Sequence, residues 1–155
     1  SNVSGKDIHI GSPTTEGREN AGYGGLFWRG PRSFTGGKII GPGGATGEGL
    51  RGQRAPWLSF VGQHDETCRF STVVMVDDPG SAHPEPEWFA RSEPFACMGP
   101  APFFRQEVLF QAGTALRFRY GVVIADGTSD ADRAEALATA ARSELAGAPA
   151  PVQGG

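Results

Sequence analysis

The sequence predicts a mainly β protein, an antiparallel β-sandwich carrying one C-terminal helix. Three observations lead there. Short runs rich in β-branched and aromatic residues alternate in polarity with a period of two. Gly, Pro, Asp and Ser clusters separate those runs at close intervals, as turns between neighbouring antiparallel strands require. A single stretch near the C-terminus carries apolar residues at helical spacing behind capping residues.

Taken in order, residues 1–55 hold fifteen of the 24 glycines and read as short strands joined by shaped loops. One short strand is expected from about Gly25 to Arg29, limited by Pro31, and a second at Lys38-Ile39-Ile40. Trp57-Leu58-Ser59-Phe60-Val61, bounded by Pro56 and Gly62, suits a buried strand. Phe70 to Val76 is a further strand, stopped by the turn Asp77-Asp78-Pro79-Gly80, and the short Gln63–Arg69 link makes the two a hairpin. Trp88-Phe89-Ala90-Arg91 and Phe95-Ala96-Cys97-Met98 are short strands around Ser92-Glu93-Pro94. Phe104 to Phe110 and Leu116 to Ala125 are expected to form a last pair across Gln111–Thr114. In that final strand Leu116, Phe118, Tyr120 and Val122 share one face. Trp57, Phe60, Val74, Val76, Phe118, Tyr120 and Val122 are therefore the expected core. The helix is expected within 129–146: Ser129 caps it, Asp130 and Asp132 suit its positive end, and Ala131, Ala134, Leu137, Ala138, Ala141 and Leu145 form its apolar stripe. Residues 1–147 are read as the sandwich and 148–155 as a flexible tail.

Composition excludes several functions. A formal charge of −3 and the absence of any run among twelve Arg and two Lys give no footprint for nucleic acid or an anionic membrane. No stretch approaches the roughly 18 apolar residues of a membrane span, the start Ser1-Asn2-Val3-Ser4-Gly5 lacks a charged-then-apolar signal pattern, and the expected location is the cytoplasm. Cys68 and Cys97 are too few for a disulfide framework and read as buried thiols. His9, His64 and His83 lack ligand spacing, so no metal site and no cofactor are expected. Gly47-Glu48-Gly49-Leu50-Arg51-Gly52 matches a dinucleotide-binding pattern, but no strand–helix unit surrounds it and Pro56 follows closely.

The densest polar constellation is Ser12-Pro13-Thr14-Thr15-Glu16-Gly17-Arg18-Glu19-Asn20, leading into Tyr23-Gly24-Gly25-Leu26-Phe27-Trp28-Arg29. An Arg fork grips carboxylates or vicinal hydroxyls, and an aromatic face packs on sugar C–H groups. Arg18, Arg29, Tyr23 and Trp28 are thus candidate binding residues, with Glu19 or Glu16 as a catalytic carboxylate. The alternative is a loop whose Arg and Glu pair with each other. His64-Asp65-Glu66, in the turn of the expected hairpin, offers His64 as an acid, against the alternative of a solvated turn. Arg91-Ser92-Glu93 supplies Arg91 and Glu93 as further binding candidates, against a structural ion pair.

The segment Ser12–Gly30 resembles the central signature of the bacterial PmoA-like family, often labelled methane oxygenase PmoA. The resemblance continues through Arg51-Gly52-x-Arg54-Ala55-Pro56-Trp57, Val76-Asp77-Asp78-Pro79, Trp88-Phe89-x-Arg91-Ser92-Glu93-Pro94-Phe95 and Ala101-Pro102-Phe103-Phe104. It implies that the chain is the C-terminal half of a galactose-mutarotase-like supersandwich, in a family that accompanies sugar-catabolism genes. The methane label conflicts with a chain lacking a membrane span and is read as a naming accident. Three readings follow. The first is a carbohydrate-related sandwich that binds a small sugar or processes it by acid–base chemistry. The second is a non-catalytic assembly module. The third, a metal-dependent oxygenase, is disfavoured by the missing ligand spacing. The half-sandwich reading, together with a start that lacks Met, implies a partner, either the missing N-terminal half or a second copy in a homodimer.

Overall fold

The computed structural model describes residues 1–148 of the 155-residue chain. It contains nine strands, β1 (Ile8–Ile10), β2 (Trp28–Arg29), β3 (Lys38–Ile40), β4 (Trp57–Gln63), β5 (Phe70–Asp77), β6 (Glu87–Arg91), β7 (Cys97–Ala101), β8 (Val108–Phe110) and β9 (Tyr120–Asp126), and one helix, α1 (Ala131–Gly147). All pairings are antiparallel, in sheets ordered β1-β8, β2-β7-β6 and β3-β4-β5-β9. Of the expected tail, 148–155, residues 149–155 lie outside the described residues.

Strand alternation builds the layers. On the β4–β5 hairpin, Leu58 opposite Met75 and Phe60 opposite Val73 face one way, while Trp57 opposite Val76 and Ser59 opposite Val74 face the other. The first face meets Trp88, Ala90, Met98 and half-buried Trp28 of the three-stranded sheet, closing a sandwich core. The second face is covered by Ala134, Ala138 and Ala141 of α1, with Leu137 and Leu145 beside them. Small alanines let the helix lie close to the sheet. Asp130, rather than Ser129, caps α1 by accepting from the Arg133 N–H at 2.9 Å. Ser129 is instead buried, 2.9 Å from the Thr72 hydroxyl under the helix start.

Trp57, Phe60, Val74 and Val76 are buried as expected, but the final strand differs. Phe118 and Tyr120 are only half-buried and Val122 is 50% exposed, with Ile124 at 76%. The three-stranded sheet does not reach β9, so the sandwich-facing side of that strand is left open at Val122 and Ile124, while Val123 on its other side packs under α1. Nor do β8 and β9 pair with each other. β8 pairs with β1 and β9 with β5, because the 111–119 connection carries the chain from one sheet to another. The strand expected from about Gly25 shrinks to Trp28–Arg29, and that expected from Phe104 begins at Val108. Cys97 is buried, but Cys68 is exposed in the β4–β5 turn. No helix among the described residues is long and apolar enough to cross a membrane.

Arg119 ties the far end of the helix to the sheet. Its guanidinium pairs with Asp78 and donates to the Leu145 and Ala148 carbonyls at the C-terminal end of the helix, where a positive charge is favoured. The Gly80 N–H, at 2.7 Å, and then Arg119 hold the Asp78 acid below the ordinary carboxylate range, against the opposing effect of burial. A depressed value means this stability is complete above the unfolded carboxyl pKa of about 4 and is lost as pH falls through the folded value. Asp77 acts oppositely: burial raises it, so its cost appears as pH rises and is relieved in acid. Asp78→Asn should therefore flatten the loss of stability between about pH 4 and 2, followed by urea unfolding at each pH. Parallel acid limbs for variant and wild type would show that Asp78 does not carry it.

Candidate functional site

The outer face of the three-stranded sheet carries a cavity of about 450 Å³ lined by Arg18, Tyr23, Gly24, Gly25, Phe27, Arg29, Phe89, Arg91 and Phe95. Its floor follows from register. Arg29 pairs with Cys97, and Cys97 with Arg91, so the three lie in one row across β2, β7 and β6. The two arginine Cα atoms are thus two strands, roughly 10 Å, apart. Phe89, two residues before Arg91, shares its face. Trp28, one residue before Arg29, is turned to the opposite face, where its ring centroid lies 5.3 Å from Phe60 and 6.1 Å from Phe34. Trp28 is therefore a core residue rather than a wall of the cavity.

The other wall is the loop before β2, which crosses directly over β7. Gly99 permits the crossing, since a Cβ there would overlap the Leu26 carbonyl oxygen. This approach sets Tyr23 edge-on to Phe89 at 5.3 Å and Phe27 at 6.2 Å from the same ring. Arg18 reaches in from the loop, its Nη1 3.5 Å from the Tyr23 hydroxyl. Arg29 lies over the Phe95 ring at 3.7 Å, and the Arg91 guanidinium stands 5.2 Å from the Phe89 centroid.

The electrostatics are one-sided. Among the described residues, the ion pairs use Arg51, Arg69, Arg105 and Arg119, and none involves Arg18, Arg29 or Arg91. The Arg91 Nε–H is buried without an acceptor. Among the described residues, no carboxylate or imidazole lines the cavity. Cys97, in the row between the two arginines, is fully buried, and that burial raises its thiol pKa despite the flanking arginines, leaving it an uncharged thiol.

The structure thus brings together Arg18, Tyr23, Arg29 and Arg91 from the sequence candidates and leaves the others outside. Glu16 and Glu19 sit exposed on the 11–20 loop, and neither enters an ion pair among the described residues. Glu93 is exposed on the β6–β7 turn, so Arg91 and Glu93 are not paired. His64 belongs to the β4–β5 hairpin of the other sheet, its Nε2 2.8 Å from Ser71 Oγ and its ring edge-on to Phe34 at 5.0 Å. His9 lies on β1, and His83 stacks against Phe118.

Phe27, Phe89 and Phe95 are contributors that motif reading missed. Alternation along Glu87–Arg91 was the available signal for Phe89. Glu48 was missed too. It sits in a single 3-10 turn, Glu48–Leu50, inside the glycine motif, and accepts from the Ser92 N–H at 2.6 Å and hydroxyl at 2.8 Å. Burial would raise its pKa, but these bonds and Arg51 hold it low. As a fixed anion it pins the turn between Arg91 and Phe95.

A sequence profile of a family of unknown function (DUF6807) matches residues 1–139. No curated protein and no solved structure matches the chain.

Proposed function

The chain belongs to DUF6807, a family of unknown function, and we propose from its site that it binds the carboxylate form of a small sugar acid on the outer face of the three-stranded sheet. The observation that carries this reading is the convergence of three guanidiniums without an acidic partner and four aromatic rings in one cavity. Like charges held together raise each other's energy, and an anion between them relieves it. A planar fork suits a carboxylate bidentately, and the flat rings suit the C–H faces of a pyranose. Binding is favoured over acid–base processing because proton transfer needs a donor or acceptor within reach of the substrate, and among the described residues the lining includes no carboxylate or imidazole.

Titration calorimetry tests it. Glucuronate or galacturonate should bind while glucose and galactose do not, and Arg91→Met should weaken the sugar acid about 10- to 100-fold, the worth of charge-assisted hydrogen bonds. Equal affinity for acid and neutral sugars, or no binding of either acid, would overturn the reading.

A second reading concerns assembly. The uncovered β9 margin, with Val122 and Ile124 exposed on an edge strand, supports the chain's being one half of a larger galactose-mutarotase-like supersandwich akin to PmoA-like proteins. Its N-terminal half or a second copy would cover that margin. Rapid amide exchange along β9 in a chain sedimenting as a monomer, alone or mixed with the N-terminal half, would sink this idea.

A further inference from the structure

A second cavity, also of about 450 Å³, adjoins the first and is lined by Arg29, Gly30, Arg32, Thr35, Pro94 and Phe95. The two share Arg29 and Phe95, whose guanidinium and ring are stacked at 3.7 Å. That pair is therefore a partition with one cavity on either side.

The second cavity repeats the chemistry of the first with fewer arginines and rings. Arg32 is exposed and, like Arg18, Arg29 and Arg91, enters no ion pair among the described residues. It opens a single 3-10 turn, Arg32–Phe34, whose Phe34 is buried in the sandwich core. The Gly30 N–H donates to the Ala96 carbonyl at 3.0 Å, and the Gly36 N–H to the Ser92 carbonyl at 3.0 Å, so backbone bonds hold this wall to the β6–β7 turn. Thr35 adds a hydroxyl and Pro94 and Phe95 an apolar surface. Glu93, exposed beside Gly36, lies outside both linings.

Four unneutralised guanidiniums thus follow one another along a continuous surface of a chain whose net charge is −3. A single uronate carries one carboxylate and needs only one such cavity. An anion repeated at each residue of a chain would meet Arg18, Arg91 and Arg29 in the first cavity and Arg32 beyond the partition. We infer that the two cavities are consecutive subsites for an acidic oligosaccharide of at least two uronate residues, with Arg32 a specificity residue for the second. The inference rests on the sugar-acid reading above.

The test is calorimetric titration of the whole chain with galacturonate, glucuronate and mannuronate, each as monomer, dimer and trimer. Wild type should bind the dimer or trimer of one series about tenfold or more tighter than its monomer, the gain of one further charge-assisted contact. Arg32→Gln should abolish that gain and leave monomer affinity unchanged. Thr35→Ala, at an exposed position, should reduce it in part, with melting temperatures confirming that both variants fold. Monomer binding with no gain on lengthening, or a gain that survives Arg32→Gln, overturns the second subsite and leaves the first standing. Failure of every uronate to bind overturns both.

Discussion

Truncating Trp88 to Ala is expected to lower the unfolding free energy by about 3–5 kcal/mol. Trp88 is fully buried and stands where the two sheets meet, among the core residues that include Leu58, Phe60 and Met75. Its indole Nε1–H donates to the Ala55 carbonyl at 2.8 Å, so truncation also strands a buried acceptor. Domains of this size have only about 5–15 kcal/mol in total, which puts the variant near the threshold of folding. Trp88→Phe, which keeps most of the ring and loses the hydrogen bond, should recover the larger part. Denaturant unfolding of the three proteins decides the point. A loss below about 1 kcal/mol for Trp88→Ala would mean that the sheets do not share this core.

Gly99→Ala should be the most damaging change to the site that removes no side chain from it. The added methyl has no flexible neighbour to displace, because what it meets is the Leu26 backbone with Phe27 Cα close behind. The loop must lift from β7, and Tyr23 and Phe27 lift with it from Phe89. Overpacking of this kind costs about 1–3 kcal/mol. The same displacement should reduce sugar-acid binding more than tenfold, as the loss of stacked aromatic contacts worth about 0.5–1.5 kcal/mol each implies. Gly49→Ala is the control, since a Cβ there meets nothing within 4 Å. Should Gly99→Ala match wild type in melting temperature and in its near-ultraviolet aromatic signal, the close crossing of loop and strand is refuted.

Local pattern and tertiary structure divided the work along physical lines. The Trp57–Val61 and Phe70–Val76 runs, the turn at Asp77–Gly80 and the alanine stripe of α1 were legible because each is a short-range matter of propensity, alternation and capping. Arg18, Tyr23, Arg29 and Arg91 were legible as candidates because guanidiniums and an aromatic ring cluster in two short segments. Alternation also held the answer for Trp28 and Arg29, which must point to opposite faces once they lie on a strand, but not which face would become core. That choice is non-local. It depends on β2 joining the edge of the β6–β7 hairpin, on Gly99 admitting the loop, and on the helix and the three-stranded sheet dividing the two faces of β3-β4-β5-β9 between them. The same competition for cover overturned the expected burial of Val122: a strand's two faces look alike in sequence when both are apolar, and only what packs against each decides which one stays dry.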